Sequence, residues 1–205
     1  WIDTADIYGQ HRAEQIVGRV LSERRDEVLV ATKCGVAWAF EPELRIWREA
    51  SGDYIRSAVD RNLQALGIDE IDLFQVHWPV KSAPADETIG AMLELKAAGK
   101  IRAIGVSNYD VEDLRAAAEV GTIDSFQVGY HVMRREIERQ ELPWCGEHGV
   151  GVLAYGPLAH GLLTGKMSAA TTCPENDWRA QSEFFADEAF SQRVAVTREL
   201  TEIAD

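Results

Sequence analysis

Apolar, β-branched runs alternate with helix-length amphipathic stretches along this chain, and that alternation constrains the fold more than any other feature. The runs are residues 1–3, "EVLVATK" (27–33), "IDLFQVH" (71–77), "IRAIGVSN" (101–108), "DSFQVGYH" (124–131) and "GVGVLAYGP" (149–157). Between them, residues 12–24, 54–66, 86–99, 110–120 and 135–149 carry apolar side chains at spacings of three and four, the helical period. Asp110 and Ser51 or Asp53 are suited to cap helix N-termini, and Gly67, Gly99 and Gly149 to end helices. Strand and helix in regular alternation imply a parallel sheet with right-handed crossovers. The runs are almost continuously apolar, as strands covered on both faces are. No G-x-G-x-x-G turn follows an early strand, which argues against a doubly wound dinucleotide fold.

The expected fold is therefore α/β, a (β/α)8 TIM barrel. Such a barrel needs eight strands and typically about 250 residues. This chain has 205 residues and six strand candidates. It reads as one barrel domain over residues 1–205, incomplete at both ends, because a six-strand wall would leave two sheet edges open. Residues 34–53 and 168–187 read as long loops, the second a polar one.

Charge narrows the classes of partner. With a formal net charge of -13, the chain gains nothing from counterion release on DNA or RNA and is repelled by anionic membrane surfaces. No apolar run approaches the roughly 20 residues needed to span a bilayer. The three cysteines, Cys34, Cys145 and Cys173, lack metal-ligand spacing and read as reduced thiols, so a cytoplasmic location without a metal site is expected.

In parallel barrels, chemistry sits at the C-terminal ends of the strands. The first run ends at Asp3, the second at Lys33, the third at His77, and Tyr8 lies just beyond Asp3. Topology alone places these four groups on one rim. A phenol titrates near 10, too high to move protons readily at neutral pH. An ammonium beside it favours the phenolate. A carboxylate fixes the ammonium, and a histidine can donate a hydrogen bond to a carbonyl. The set is a general acid in an electrostatic frame, suited to protonating an oxygen that gains negative charge.

The stretches "IDTADIYG", "VATKCG", "IDLFQVHWP", "GKIRAIGVSN" and "GVLAYGPLAHGLLTGK" resemble the aldo-keto reductase superfamily, in particular its bacterial, potassium-channel-β-like branch. The resemblance covers residues 1 to about 166, and 174–205 more loosely. It implies an NAD(P)H-dependent oxidoreductase that reduces an aldehyde or ketone to an alcohol, reversibly. Asp3, Tyr8, Lys33 and His77 would be the catalytic tetrad, with Tyr8 the acid. Ser107, Asn108 and Gln127 would hold the nicotinamide carboxamide, and Tyr155 would stack on its ring. Gly156, Leu158, His160 and Gly161 would wrap the pyrophosphate. NADP is the implied cofactor, with NAD the alternative, and the partner is a small carbonyl or alcohol. The sequence departs from the pattern at Gly156, where many relatives have serine, and in "FQVGYHVM", where many have asparagine before Gln127 and in place of His131.

Plainer readings stand beside these. Asp3 and Asp6 could cap a turn, and Lys33 could be a Schiff-base lysine. The barrel could also serve as a cofactor-binding regulatory subunit with weak reductase activity. His11 and His148, in or beside helices, read as solvated, and His131 as lining or filling the pocket. Trp38 and Trp78, just past two strand ends, are candidates for an apolar substrate wall.

Overall fold

A computed structural model describes residues 1–40 and 42–204. Six strands form one sheet: β1 (Ile2–Asp3), β2 (Val30–Cys34), then, after an antiparallel hairpin of β3 (Val36–Phe40) and β4 (Leu44–Arg48), β5 (Ile71–Val76), β6 (Ile101–Ser107), β7 (Ser125–Gly129) and β8 (Gly151–Tyr155). The order in the sheet is β1-β2-β5-β6-β7-β8, and the pairings from β1 through β7 are parallel. Between the strands run α1 (Arg12–Arg24), α2 (Gly52–Leu66), α3 (Ala85–Ala97), α4 (Val111–Val120) and α5 (Glu141–His148); α6 (Asp187–Ala204) follows β8. The parallel α/β arrangement expected from the alternation is present.

All residues of β2 and β5 are buried, as strands covered on both faces must be. Phe74, Ile104, Val106 and Phe126 of the sheet and Ile55, Val59, Ile89 and Met92 of the helices form the core. At the strands' N-terminal ends, Asp72 binds three elements together. Its carboxylate accepts from Val30 N at 2.8 Å and Arg102 Nη1 at 3.0 Å, and pairs with Arg25 at 2.9 Å. Burial alone would raise the Asp72 carboxyl, but the Arg25 and Val30 hydrogen bonds and both guanidiniums hold it below its usual value.

Three expectations from the sequence are revised. Residues 34–53 contain the β3–β4 hairpin, in register Trp38↔Ile46 and Phe40↔Leu44. The alternating "VAWAF" and "LRIWR" segments carry the β-branched and aromatic residues of strands. Residues 135–149 are a 3-10 turn (Glu136–Glu138) followed by α5. Pro143 has no N–H to give and is tolerated only in a first turn, so the helix begins just ahead of it. Residues 168–187 fold into 3-10 turns at Trp178–Gln181 and Glu183–Phe185, capped by the side chains of Asp177 and Ser182.

The chain divides into two compact units, Trp1–Val128 with Ile137–Leu153, and Gly129–Glu136 with Ala154–Asp205. The second has its own small core of Ala159, Leu162, Phe190 and Val194, against which Phe184 and Phe185 pack.

Candidate functional site

In the first unit, β1, β2 and β5 end side by side, and the three side chains singled out at those ends meet. Lys33 is buried to 2% exposure and its Nζ donates to Asp3 Oδ2 at 2.8 Å and to the Thr4 carbonyl at 2.8 Å. The same ammonium nitrogen lies 5.5 Å from the centroid of the Tyr8 ring. Tyr8 stands edge-on to His77, ring centroids 5.8 Å apart. Asp3, Tyr8, Lys33 and His77 are thus brought to one place.

Their electrostatics follow from burial and mutual charge. Desolvation lowers the Lys33 ammonium, while Asp3 pulls the other way. Desolvation, and then the Lys33 charge, push His77 down to about 4, so its ring is neutral at neutral pH. His77 Nδ1 is buried and has no hydrogen-bond partner among the described residues. An orphaned polar atom at such a place calls for an explanation, and a ligand is one.

Amides support the carboxylate. Gln127 Nε2 donates to Asp3 Oδ2 at 3.2 Å, and Gln75 Nε2 lies 3.5 Å from Asp3 Oδ1. Gln127, expected to hold a carboxamide, therefore also touches the tetrad. Asn108, left-handed at φ 61°, donates through Nδ2 to the His77 carbonyl and to Ser107 Oγ, both at 3.0 Å. Ser107, Asn108 and Gln127 lie at the ends of β6 and β7, in the unit that carries the tetrad.

Tyr155, Gly156, Leu158, His160 and Gly161 belong to the second unit. There the chain turns left-handed at Gly156, Ala159, His160 and Gly161. The His160 ring is held edge-on to Trp178 at 4.7 Å. His131, in the same unit, sits edge-on to Phe184 at 5.8 Å. Trp38 packs against the His11 ring at 5.2 Å, and Trp78 lies under the Arg48 guanidinium at 4.6 Å, which ties β4 to the segment after His77.

Several residues escaped the sequence reading. His11 is not solvated: its Nδ1 is 2.5 Å from Glu14 Oε2 and its side chain is 16% exposed. His148 is exposed, as expected, and stacks on Trp144 at 4.2 Å. Glu14 and Gln75 are wholly buried, and Asp6 is 1% exposed. Burial first, then Glu14, raise the Asp6 carboxyl to about 7 against the Ile7 N–H bond, which lowers it. A raised carboxyl means that the folded protein holds a proton the unfolded chain has released. Stability is therefore present at low pH and falls as pH climbs from about 4 through about 7, by up to about 4 kcal/mol. Asp6→Asn keeps an acceptor for Ile7 and cannot ionise. We expect it to raise the melting temperature at pH 8 and leave it little changed at pH 4, read by thermal melts of both proteins; equal melting curves at pH 8 would contradict the raised carboxyl.

A parallel α/β wall thus gathers at its strand ends a phenol, a buried ammonium, an imidazole and a carboxylate. The Aldo/keto reductase family model matches residues 1–205, and the chain belongs to that family. It is 38% identical over 205 residues to the aldo-keto reductase YhdN of Bacillus subtilis, covering 99% of this chain and 61% of that protein. It is 39% identical over 178 residues to the NADH-specific methylglyoxal reductase of Escherichia coli, covering 82% of this chain and 55% of that one. Among solved structures, the glycerol dehydrogenase AKR11B4 of Gluconobacter oxydans superposes with a TM-score of 0.94 at 38% identity, over 99% of this chain and 63% of its own. An aldo-keto reductase of Klebsiella pneumoniae in complex with NADPH superposes with a TM-score of 0.67 at 34% identity, over 80% and 54%. The chain thus spans about three fifths of the length of such relatives. Among the described residues no helix is long and apolar enough to cross a membrane, and no cluster of His, Cys, Asp or Glu could hold a metal ion.

Proposed function

We propose that the protein is an NAD(P)H-dependent oxidoreductase that reduces the carbonyl of a small aldehyde or ketone, reversibly, in the cytoplasm. One observation carries this reading: Lys33, a buried lysine paired with Asp3 at 2.8 Å, stands 5.5 Å from the ring of a half-exposed tyrosine that faces His77. A lysine surrounded this way is poised to bias a phenol toward giving up its proton, and perturbed groups of this kind concentrate at functional sites.

Each of the two units offers groups suited to part of a nicotinamide dinucleotide. In the first, a hydroxyl and two amides at adjoining strand ends, Ser107, Asn108 and Gln127, match the donors and acceptors of a carboxamide; in the second, Tyr155 offers a ring for stacking. The loop with His160 and Gly161, left-handed at Gly156, Ala159, His160 and Gly161, is the segment proposed to wrap the pyrophosphate. Gly156 and Leu158 complete that loop. A relative's structure holding NADPH and another named NADH-specific leave NADP and NAD both open, with NADP the expected one.

When bound, the reduced nicotinamide supplies the hydride. The chain's own residues do the rest. His77, neutral at working pH, donates a hydrogen bond to the carbonyl oxygen and orients it. Tyr8 gives that oxygen its proton as negative charge develops, worth roughly a hundred- to ten-thousandfold in rate. Lys33 steadies the resulting phenolate, and Asp3, held by two glutamine amides, fixes Lys33. Trp38 and Trp78 offer apolar surface to the rest of the substrate.

The test is an absorbance screen of the full-length protein for consumption of NADPH and NADH over a panel of aldehydes and ketones. Steady turnover of at least one is the expected result. Cofactor binding without turnover of any would favour a regulatory role, and trapping of a carbonyl on Lys33 by borohydride would favour a Schiff-base enzyme.

A further inference from the structure

Beside the tetrad, and unused by it, lies a buried carboxyl with hydrogen bonds to two elements. Glu14, the third residue of α1, has 0% exposure. It accepts from Thr32 Oγ1 at 2.6 Å and meets His11 Nδ1 at 2.5 Å. Thr32 precedes Lys33 on β2, and His11 follows Tyr8 by three residues. The carboxyl therefore connects the strand that carries the lysine to the loop that carries the phenol.

That loop is one the sequence does not favour. Gly9, Gln10 and His11 are all left-handed, with φ of 63°, 50° and 69°. Only glycine adopts this region freely, and each other residue held there costs on the order of 1 kcal/mol or more. The turn is held through His11: its N–H donates to the Asp6 carbonyl at 2.6 Å, its ring rests on Trp38, and its Nδ1 meets Glu14. Tyr8 is inside the same web, since Ala13 N donates to its carbonyl at 3.1 Å. A carboxyl is costly to bury, so one placed here needs partners, and it has them on both sides.

We propose that Glu14 is a positioning residue for Tyr8: by bridging Thr32 and His11 it holds the strained loop in the register that keeps the phenol beside Lys33. The proposal rests on the reductase reading above. Its role is that of a brace, so what matters is two hydrogen bonds and not a charge or a transferable proton.

The test uses the full-length protein with Glu14→Gln, Glu14→Leu and Thr32→Val. Glutamine keeps an oxygen for Thr32 and offers an amide to the other tautomer of His11, so Glu14→Gln should turn over within threefold of the parent. Glu14→Leu removes both bonds at similar volume. It should lower kcat ten- to a hundredfold, the effect of misplacing a catalytic group by about 1 Å. KM and the NADPH dissociation constant should stay within threefold. Amide hydrogen exchange over residues 8–13 should quicken in Glu14→Leu and not in Glu14→Gln, a readout independent of activity. Thr32→Val is isosteric and cuts only the strand end of the brace; we expect a three- to tenfold loss in kcat, and this variant decides should Glu14→Leu fail to fold. A folded Glu14→Leu or Thr32→Val with parental kcat and parental exchange overturns the proposal. So does a Glu14→Gln variant as impaired as Glu14→Leu, which would assign the group a charge or proton-transfer role. A parent that consumes neither cofactor with any carbonyl refutes the reductase reading, while the exchange data still decide the brace.

Discussion

Replacing Tyr8 by phenylalanine is expected to lower carbonyl turnover by a factor of about 100 to 10,000 while the protein folds and binds NADPH as before. The geometry makes the separation clean. Tyr8 is 45% exposed and its ring faces the Lys33 amine and the His77 ring. Phenylalanine retains the ring and its edge-on contact, so the hydroxyl alone is lost. Substitutions at residues this exposed usually change stability by no more than about 0.5 kcal/mol, so the melting temperature should move little. The groups proposed to hold the cofactor lie at the ends of β6, β7 and β8 and in the loop after β8, and none is altered. Steady-state kinetics with a fluorescence titration of NADPH makes the measurement. Turnover near the parent's would remove Tyr8 from the role of acid and leave the ammonium without a purpose.

The tetrad was legible because each member closes or follows an apolar run, and in a parallel sheet such closings share one rim. Asp3, Lys33 and His77 needed only the strand ends to be right within a residue or two, and they were, although β2 begins at Val30 and not at 27. The support around them was not read, for a physical reason. Glu14 lies in a charged helix, and its burial comes from the turn before α1 and from β2, the latter a contact distant in sequence. A signal did exist. Glu14, Val17 and Leu21 fall at spacings of three and four on the face of α1 that turns inward, where Val17 is half-buried and Leu21 fully buried. A carboxyl at an inward position of an amphipathic helix is unusual enough to mark. Gln75 carried a similar signal, a polar residue inside the otherwise apolar end of β5. The hairpin β3–β4 was missed because it follows β2 without joining its sheet, so the strand–helix rhythm says nothing about it. Its alternating apolar residues were visible, and their period of two, given weight over the rhythm, identifies the hairpin.

Gly105→Ala should be the most damaging single methyl that the sheet can receive. Lys33 pairs in register with Gln75, Gln75 with Gly105, and Gly105 with Ser125, so one row crosses four strands beneath the rim. A Cβ on Gly105 would stand 2.5 Å from Ser125 Oγ and 2.7 Å from Gln75 Cγ. Ser125 is 6% exposed and Gln75 is 0% exposed, so neither can swing into solvent. Overpacking of a close-packed interior costs about 1 to 3 kcal/mol, and two contacts of this kind place the variant at the upper end. That corresponds to a fall in melting temperature of roughly 6 to 12 °C. Function should suffer too, because Gln75 Nε2 lies against Asp3, and a shifted Gln75 disturbs the carboxylate that holds Lys33. We expect about a tenfold loss in kcat. Ser125→Ala supplies the control. Its hydroxyl is buried with no partner among the described residues, so deleting it should leave stability equal or slightly higher. Combined with Gly105→Ala it removes the shorter of the two clashes and should restore about half of the lost stability, with the Gln75 contact accounting for the remainder. If Gly105→Ala melts within 2 °C of the parent, the row is looser than these distances require, and Gln75 is not held against Asp3 by the crowding at Gly105.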